Sequence, residues 1–180
     1  MVESTMGLKK IFCAESEANA SESSGYNIPA ASAEAWNDLG DVYQETCTLK
    51  DGDSTVTVHK SETSAKKLIQ IEPGDTVGEL SLMDPNLEQL ARYFGGEIVT
   101  DATTSKKRWV KPRKLPYKEY CIKFLPEEGL MVVTRAARIV PTFSITYSSK
   151  GICLVPMKIE FMTPLEMDED ASNPTEIEVG

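Results

Sequence analysis

DPNLEQLARYFGG, residues 84–96, is the stretch of this chain that reads most clearly as a helix with both ends marked. Asp84 suits an N-cap, and Pro85 suits a first helical residue, where a missing N–H costs nothing. Leu87, Leu90, Ala91 and Phe94 fall at i, i+3, i+4 and i+7 and form one apolar stripe. Gly95-Gly96 supplies the closing cap. So short a helix is marginal alone in water, and its stripe must lie on a sheet.

The sequence on both sides supplies that sheet. Leu8 to Cys13 is expected as a short strand. Tyr43 to Leu49 and Thr55 to His59 flank Asp51-Gly52-Asp53 and predict a hairpin. Lys67 to Ile71 is a further strand, ended by the turn residues Glu72-Pro73-Gly74-Asp75. Thr76 to Met83 follows, with Gly78, Leu80 and Leu82 on one face and Val77 and Glu79 on the other. Beyond the helix come Ile98 to Thr103, Tyr117 to Leu125, Leu130 to Val140, Thr142 to Tyr147 and Ile152 to Met162. Pro126 to Gly129 turns the chain, and Pro156 implies an edge or a bend. The expected fold is mainly β: an antiparallel sandwich or barrel with one short packed helix, about 85–94, and extended arms.

Three parts are expected. Residues 1–35 form a strand and an arm, because 14–35 is rich in Ala, Ser and Glu and cannot bury enough surface to fold alone. Residues 36–163 form the β-domain. Residues 164–180 form an acidic tail without a basic residue. No run approaches the ~20 apolar residues of a spanning helix, so no membrane partner is expected. MVESTMGLKK shows no secretory apolar region, and lipidation signals are absent.

Catalytic chemistry finds little purchase. His59 is the one histidine, and it sits in a strand pattern with no marked partner. Cys13, Cys47, Cys121 and Cys153 are far apart, without the short spacing of a metal cluster, and read as buried free thiols made in a reducing cytoplasm. The expectation is a non-enzymatic protein with no catalytic, cofactor or metal-binding residues.

SKKRWVKPRKLPYK, residues 105–118, holds seven cations and no acid in a chain of net charge -9. Trp109 and Tyr117 among those cations suit a single-stranded nucleic-acid surface. Against that stands a sequence pI of about 4.7, where such binders are usually basic. The alternative is a contact between subunits. Residues 159–180 carry Glu160, Glu166, Asp168, Glu169, Asp170, Glu176 and Glu178 and no base; residues 11–45 carry Glu15, Glu17, Glu22, Glu34, Asp38, Asp41 and Glu45 and no base. Separate positive and negative surfaces suit head-to-tail assembly. The candidate contact residues are Lys107, Arg108, Lys111, Arg113 and Lys114, with Trp109 as apolar anchor. Trp36 either joins them or packs the start of the domain. A solvated loop is the plain alternative.

Three features in order resemble a family. They are Trp36-Asn37-Asp38-Leu39-Gly40-Asp41-Val42 (W-x-D-L-G-x-V) leading into the β-domain, the helix Pro85 to Phe94 with Gly95-Gly96 mid-chain, and two long strands around Leu130 to Thr163. Together they resemble the major tail (tail tube) proteins of tailed bacteriophages and prophages, over roughly residues 7–163. The resemblance implies a β-sandwich or barrel with a flanking helix, hexameric rings stacked into a hollow tube, and DNA passing through the lumen without specific binding. Partners would be further copies of the chain and other tail proteins. The place would be the virion tail, after synthesis in the cytoplasm of a bacterial host. A wall that lets DNA slide should repel phosphates, and Glu45, Glu62, Glu72 and Glu79 are the acidic candidates for it. Another tail or neck component, and a β-barrel module for single-stranded nucleic acid, remain the alternatives.

Overall fold

The computed structural model describes residues 6–18, 25–29, 36–144 and 152–168. The elements run β1 (Met6–Glu15), β2 (Glu17–Ala18), β3 (Tyr26–Asn27), β4 (Asn37–Asp38), β5 (Thr48–Asp51), β6 (Thr55–Lys60), β7 (Lys67–Glu72) and β8 (Thr76–Met83). Then come α1 (Leu87–Phe94), β9 (Glu97–Thr100), β10 (Lys107–Val110), β11 (Tyr120–Glu128), β12 (Met131–Pro141), β13 (Leu154–Phe161) and β14 (Glu166–Asp168). The mainly β, antiparallel fold with one short helix is what the sequence predicts. The expected strand Thr142 to Tyr147 and most of the acidic tail lie largely outside the described residues.

The main sheet is antiparallel in the order β4-β1-β11-β12-β13-β8-β5, with β14 added to β12. The segment 37–43 joins its two ends. It pairs with β1 at Phe12 and Cys13, and the Leu39 N–H donates to the Ile11 carbonyl at 2.8 Å. It then crosses to β8: Val42 bridges Leu82, the Tyr43 N–H donates to Ser81 at 2.8 Å, and the Met83 N–H donates to Asp41 at 2.7 Å. The sheet thereby closes into a barrel, which removes most of its edges.

Alternate residues of each strand fill the interior. Ile11 and Cys13, Ile122 and Phe124, Ala137 and Ile139, Val155, Met157 and Ile159, and Leu80 and Leu82 form one buried cluster with Leu39. The helix adds Tyr93 and Phe94 to it. Each such fully buried apolar side chain contributes about 1.5–3 kcal/mol. A second cluster lies on the other face: Phe12, Ala14, Trp36, Cys121, Met131 and Val133. Buried polar groups are satisfied. Thr163 Oγ1 accepts from the Ala136 N–H at 3.1 Å and lies 3.3 Å from Thr134 Oγ1.

Three local expectations need correction. The N-cap is Asn86, not Asp84: its side chain accepts from the Gln89 N–H, and the Gln89 side chain accepts from the Asn86 N–H. This reciprocal box satisfies two orphan donors, whereas Asp84 alone would satisfy one. Asp84 instead turns the chain at φ 43°. The second correction concerns pairing. β5 pairs β8, and β6 pairs β7, so Asp51-Gly52-Asp53 is not a hairpin turn. Gly52 lies against Gly74, and a Cβ on Gly74 would meet the Gly52 carbonyl carbon and oxygen at 2.5 Å. The Gly52 N–H donates to the Asp75 carbonyl at 2.9 Å, and the close approach of Gly52 and Gly74 lets the two ladders meet without side chains between them. Third, β1 runs on to Glu15 and β2 pairs β3 within the segment expected to be an arm.

Candidate functional site

Past Gly52 and Gly74, β6 and β7 continue the β5–β8 pair as a two-stranded arm that touches no other strand or helix among the described residues. Its register places Val56 opposite Ile71, Val58 opposite Ile69, and Lys60 opposite Lys67. Because side chains alternate, these six share one face. The other face carries Thr55, Thr57, His59, Leu68, Gln70 and Glu72. Val56, Val58, Ile69 and Ile71 are 57%, 40%, 52% and 64% exposed. An amphipathic ribbon with nothing on its apolar side is unusual, since isolated hairpins are marginal and apolar patches mark contact sites.

A cleft of about 830 Å³ opens beside the barrel. Leu8, Val42, Leu49, Phe124, Pro126 and Val132 give it apolar walls, and Cys47 lies among them. Asp38, Asp41 and Glu45 line it together with Lys9 and Lys10. Lys10 pairs with Asp38 at 3.2 Å, whereas Asp41 and Glu45 have no ion-pair partner among the described residues. β4 covers β1 only at Phe12 and Cys13, so no described strand pairs with that edge between Met6 and Lys10. Burial raises the Cys47 thiol to about 11, which keeps it protonated at neutral pH.

The basic stretch forms β10, which among the described residues pairs only with β9, and the loop after it. Trp109 is half-buried. Its Nε1–H donates to the Gly95 carbonyl at 2.8 Å, and its ring lies 5.7 Å from Phe94 and 6.1 Å from Phe143. The indole thus fixes this segment to the end of α1. Lys111 sits 4.6 Å over the Phe143 ring, and Lys118 pairs with Glu15 at 3.0 Å. Lys107, Arg108, Arg113 and Lys114 are exposed and have no ion-pair partner among the described residues. Trp36 is buried in the second cluster with Lys123 stacked 4.3 Å above it. Lys107 and Arg108 point to opposite faces of β10, and Trp36 lies in a different cluster from Trp109.

The acidic candidates do not converge. Glu45 lies on the cleft, Glu62 at the arm's tip, and Glu72 near the arm's base, bonded to Gln70 at 3.0 Å. Glu79 is on β8, 3.8 Å from Lys50. Among the described residues no group of three or more His, Cys, Asp or Glu could hold a metal ion, and no helix is long and apolar enough to cross a membrane.

Sequence reasoning missed the arm and the cleft. The alternation Val56, Val58 against Ile69, Ile71 was visible, but not that both strands lacked a second layer. The cleft brings together residues far apart along the chain, from Leu8 to Val132.

No family model matches the chain, and no curated protein does. A chain in the cryo-EM structure of the anti-feeding prophage (AFP) baseplate, 6-fold symmetrised, shares 14% identity at a TM-score of 0.42, over 92% of this chain and 97% of that one.

Proposed function

We propose that the chain is a structural, non-enzymatic subunit of a phage-tail-like particle that polymerises with copies of itself, in the manner of a tail tube. The observation that supports this best is the β6–β7 arm: an apolar face carried away from the barrel, with no other element among the described residues to rest on. Segregated charge adds to it. The exposed cations of β10 and its loop stand opposite in sign to a chain of net charge -9. Heterologous contacts of this kind make rings where the rotation closes and filaments where it does not. Rings stacked into a tube would leave a mostly acidic wall for DNA to pass without being held.

The single-stranded nucleic-acid alternative is weakened by Trp109, whose ring and N–H are both engaged within the chain. The exposed aromatics there among the described residues are Tyr117, beside Arg138 at 4.8 Å, and Phe143, which already packs on Trp109. The test is concentration-dependent growth of the purified chain, followed by sedimentation and negative-stain microscopy. Open-ended tubes or stacked rings are expected. Monomers at every concentration and low ionic strength would refute the assembly.

A further inference from the structure

We infer that the β6–β7 arm of one copy seats in the cleft beside β1 of another, so that each subunit carries both the donor and the acceptor of a head-to-tail contact. The inference rests on the self-assembling reading above and specifies its surfaces. Three features match. The apolar face Val56, Val58, Ile69 and Ile71 needs cover, and the cleft offers apolar walls from Leu8, Val42, Leu49, Phe124 and Val132. Neither can satisfy the other within one chain in this fold, because the arm touches no other element among the described residues.

The second match is electrostatic. Lys60, Lys66 and Lys67 cluster at the arm's tip with only Glu62 against them. Lys60 and Lys67 lie directly across the ladder, where like charges repel. Asp41 and Glu45 line the cleft without a partner among the described residues. Carboxylates at the tip would relieve the lysine pair and set the register of docking. The third match is backbone. Among the described residues no strand pairs the β1 edge between Met6 and Lys10, nor the outer edge of either strand of the arm. Addition of a strand to such an edge is a recurrent mode of recognition.

The experiment uses the full chain. Ile69→Cys is introduced to face the native Cys47, and the protein is oxidised with copper phenanthroline under assembling conditions. Disulfide-linked dimers and higher species on a non-reducing gel are expected, and Cys47→Ser in the same background should remove them. In parallel, Lys60→Glu with Lys67→Glu, and separately Asp41→Lys with Glu45→Lys, should each reduce assembly at least tenfold in critical concentration. Mixing the two reversed proteins should restore it. All four positions are exposed, and circular dichroism checks that each variant folds. Assembly that persists without the cross-link and ignores both reversals would overturn this inference, assigning the cleft another occupant, while leaving the structural role standing. Failure of the parent protein to assemble at all would overturn both.

Discussion

Lys60 and Lys67 are Cα partners in the last rung of the β6–β7 ladder. Two ammonium groups held across a strand pair weaken it, by up to about 1 kcal/mol. Lys60→Glu is therefore expected to stabilise the isolated subunit slightly, or leave its melting unchanged, while impairing assembly. Paired thermal melts and sedimentation runs on one preparation would show the two effects moving in opposite directions. A purely structural lysine would move both the same way.

The exposed cations after β10 offer a second surface. Arg113→Glu with Lys114→Glu is expected to block tube growth while the monomer keeps its fold, since neither side chain has an ion-pair partner among the described residues. Electron microscopy checks the first point and urea unfolding the second. Filaments like those of the parent would remove this loop from the interface.

The helix start makes a separate prediction. Asn86→Ala should cost about 1 kcal/mol, because the reciprocal bonds between Asn86 and Gln89 are both lost. Asp84→Gly should be neutral or stabilising, since Asp84 already holds φ 43°. Denaturant titrations of the two variants should separate clearly.

Gly74→Ala sets a methyl group against the Gly52 backbone at 2.5 Å and the Asp53 carbonyl oxygen at 2.8 Å. The two strands must part where the barrel gives way to the arm. A loss of about 1–3 kcal/mol is expected, with a larger effect on assembly as the arm is re-aimed. Gly25→Ala, where no neighbour stands within 4 Å, is the control for crowding, although its φ of 74° also disfavours alanine.

Alkaline pH should destabilise the barrel. Burial lifts the Cys121 thiol from 9.0 to about 12 and the Tyr120 hydroxyl from 10.0 to about 12. The folded state therefore holds protons that the unfolded chain releases. Their contribution is complete below pH 9 and declines as pH climbs from 9 toward 12. Urea midpoints between pH 8 and 11 should fall steadily, and Cys121→Ala should flatten the fall. Cys13 and Cys121, both buried, should also resist thiol reagents until the chain unfolds.

Much of this was legible beforehand, for identifiable reasons. β8 was expected at Thr76 to Met83 and is found there, because Gly78, Leu80 and Leu82 alternate with the less buried Val77, Glu79 and Ser81. The helix was legible because its stripe buries Phe94. Its cap was misplaced by two residues, because Asp84 and Asn86 are both good caps and only the Gln89 side chain decides between them. Pairing was the harder problem. Asp51-Gly52-Asp53 looks like a hairpin turn, and nothing local reveals that the chain runs straight on through it, paired with the segment around Gly74 and Asp75. Likewise, cations can be counted from sequence, but that Trp109 turns inward onto Phe94 and Gly95 is a tertiary fact.

The pairing of β1 with β11, Ile11 beside Phe124, also fixes a timetable. The arm is a local hairpin of the kind that zips in microseconds. The cleft needs Leu8 to meet Phe124 and Val132, far along the chain, a distant meeting of the sort that slows folding to milliseconds or longer. A half-made subunit would thus carry a plug but no socket. Growth of the polymer would accept only finished copies, with completion of the fold acting as the licence to join.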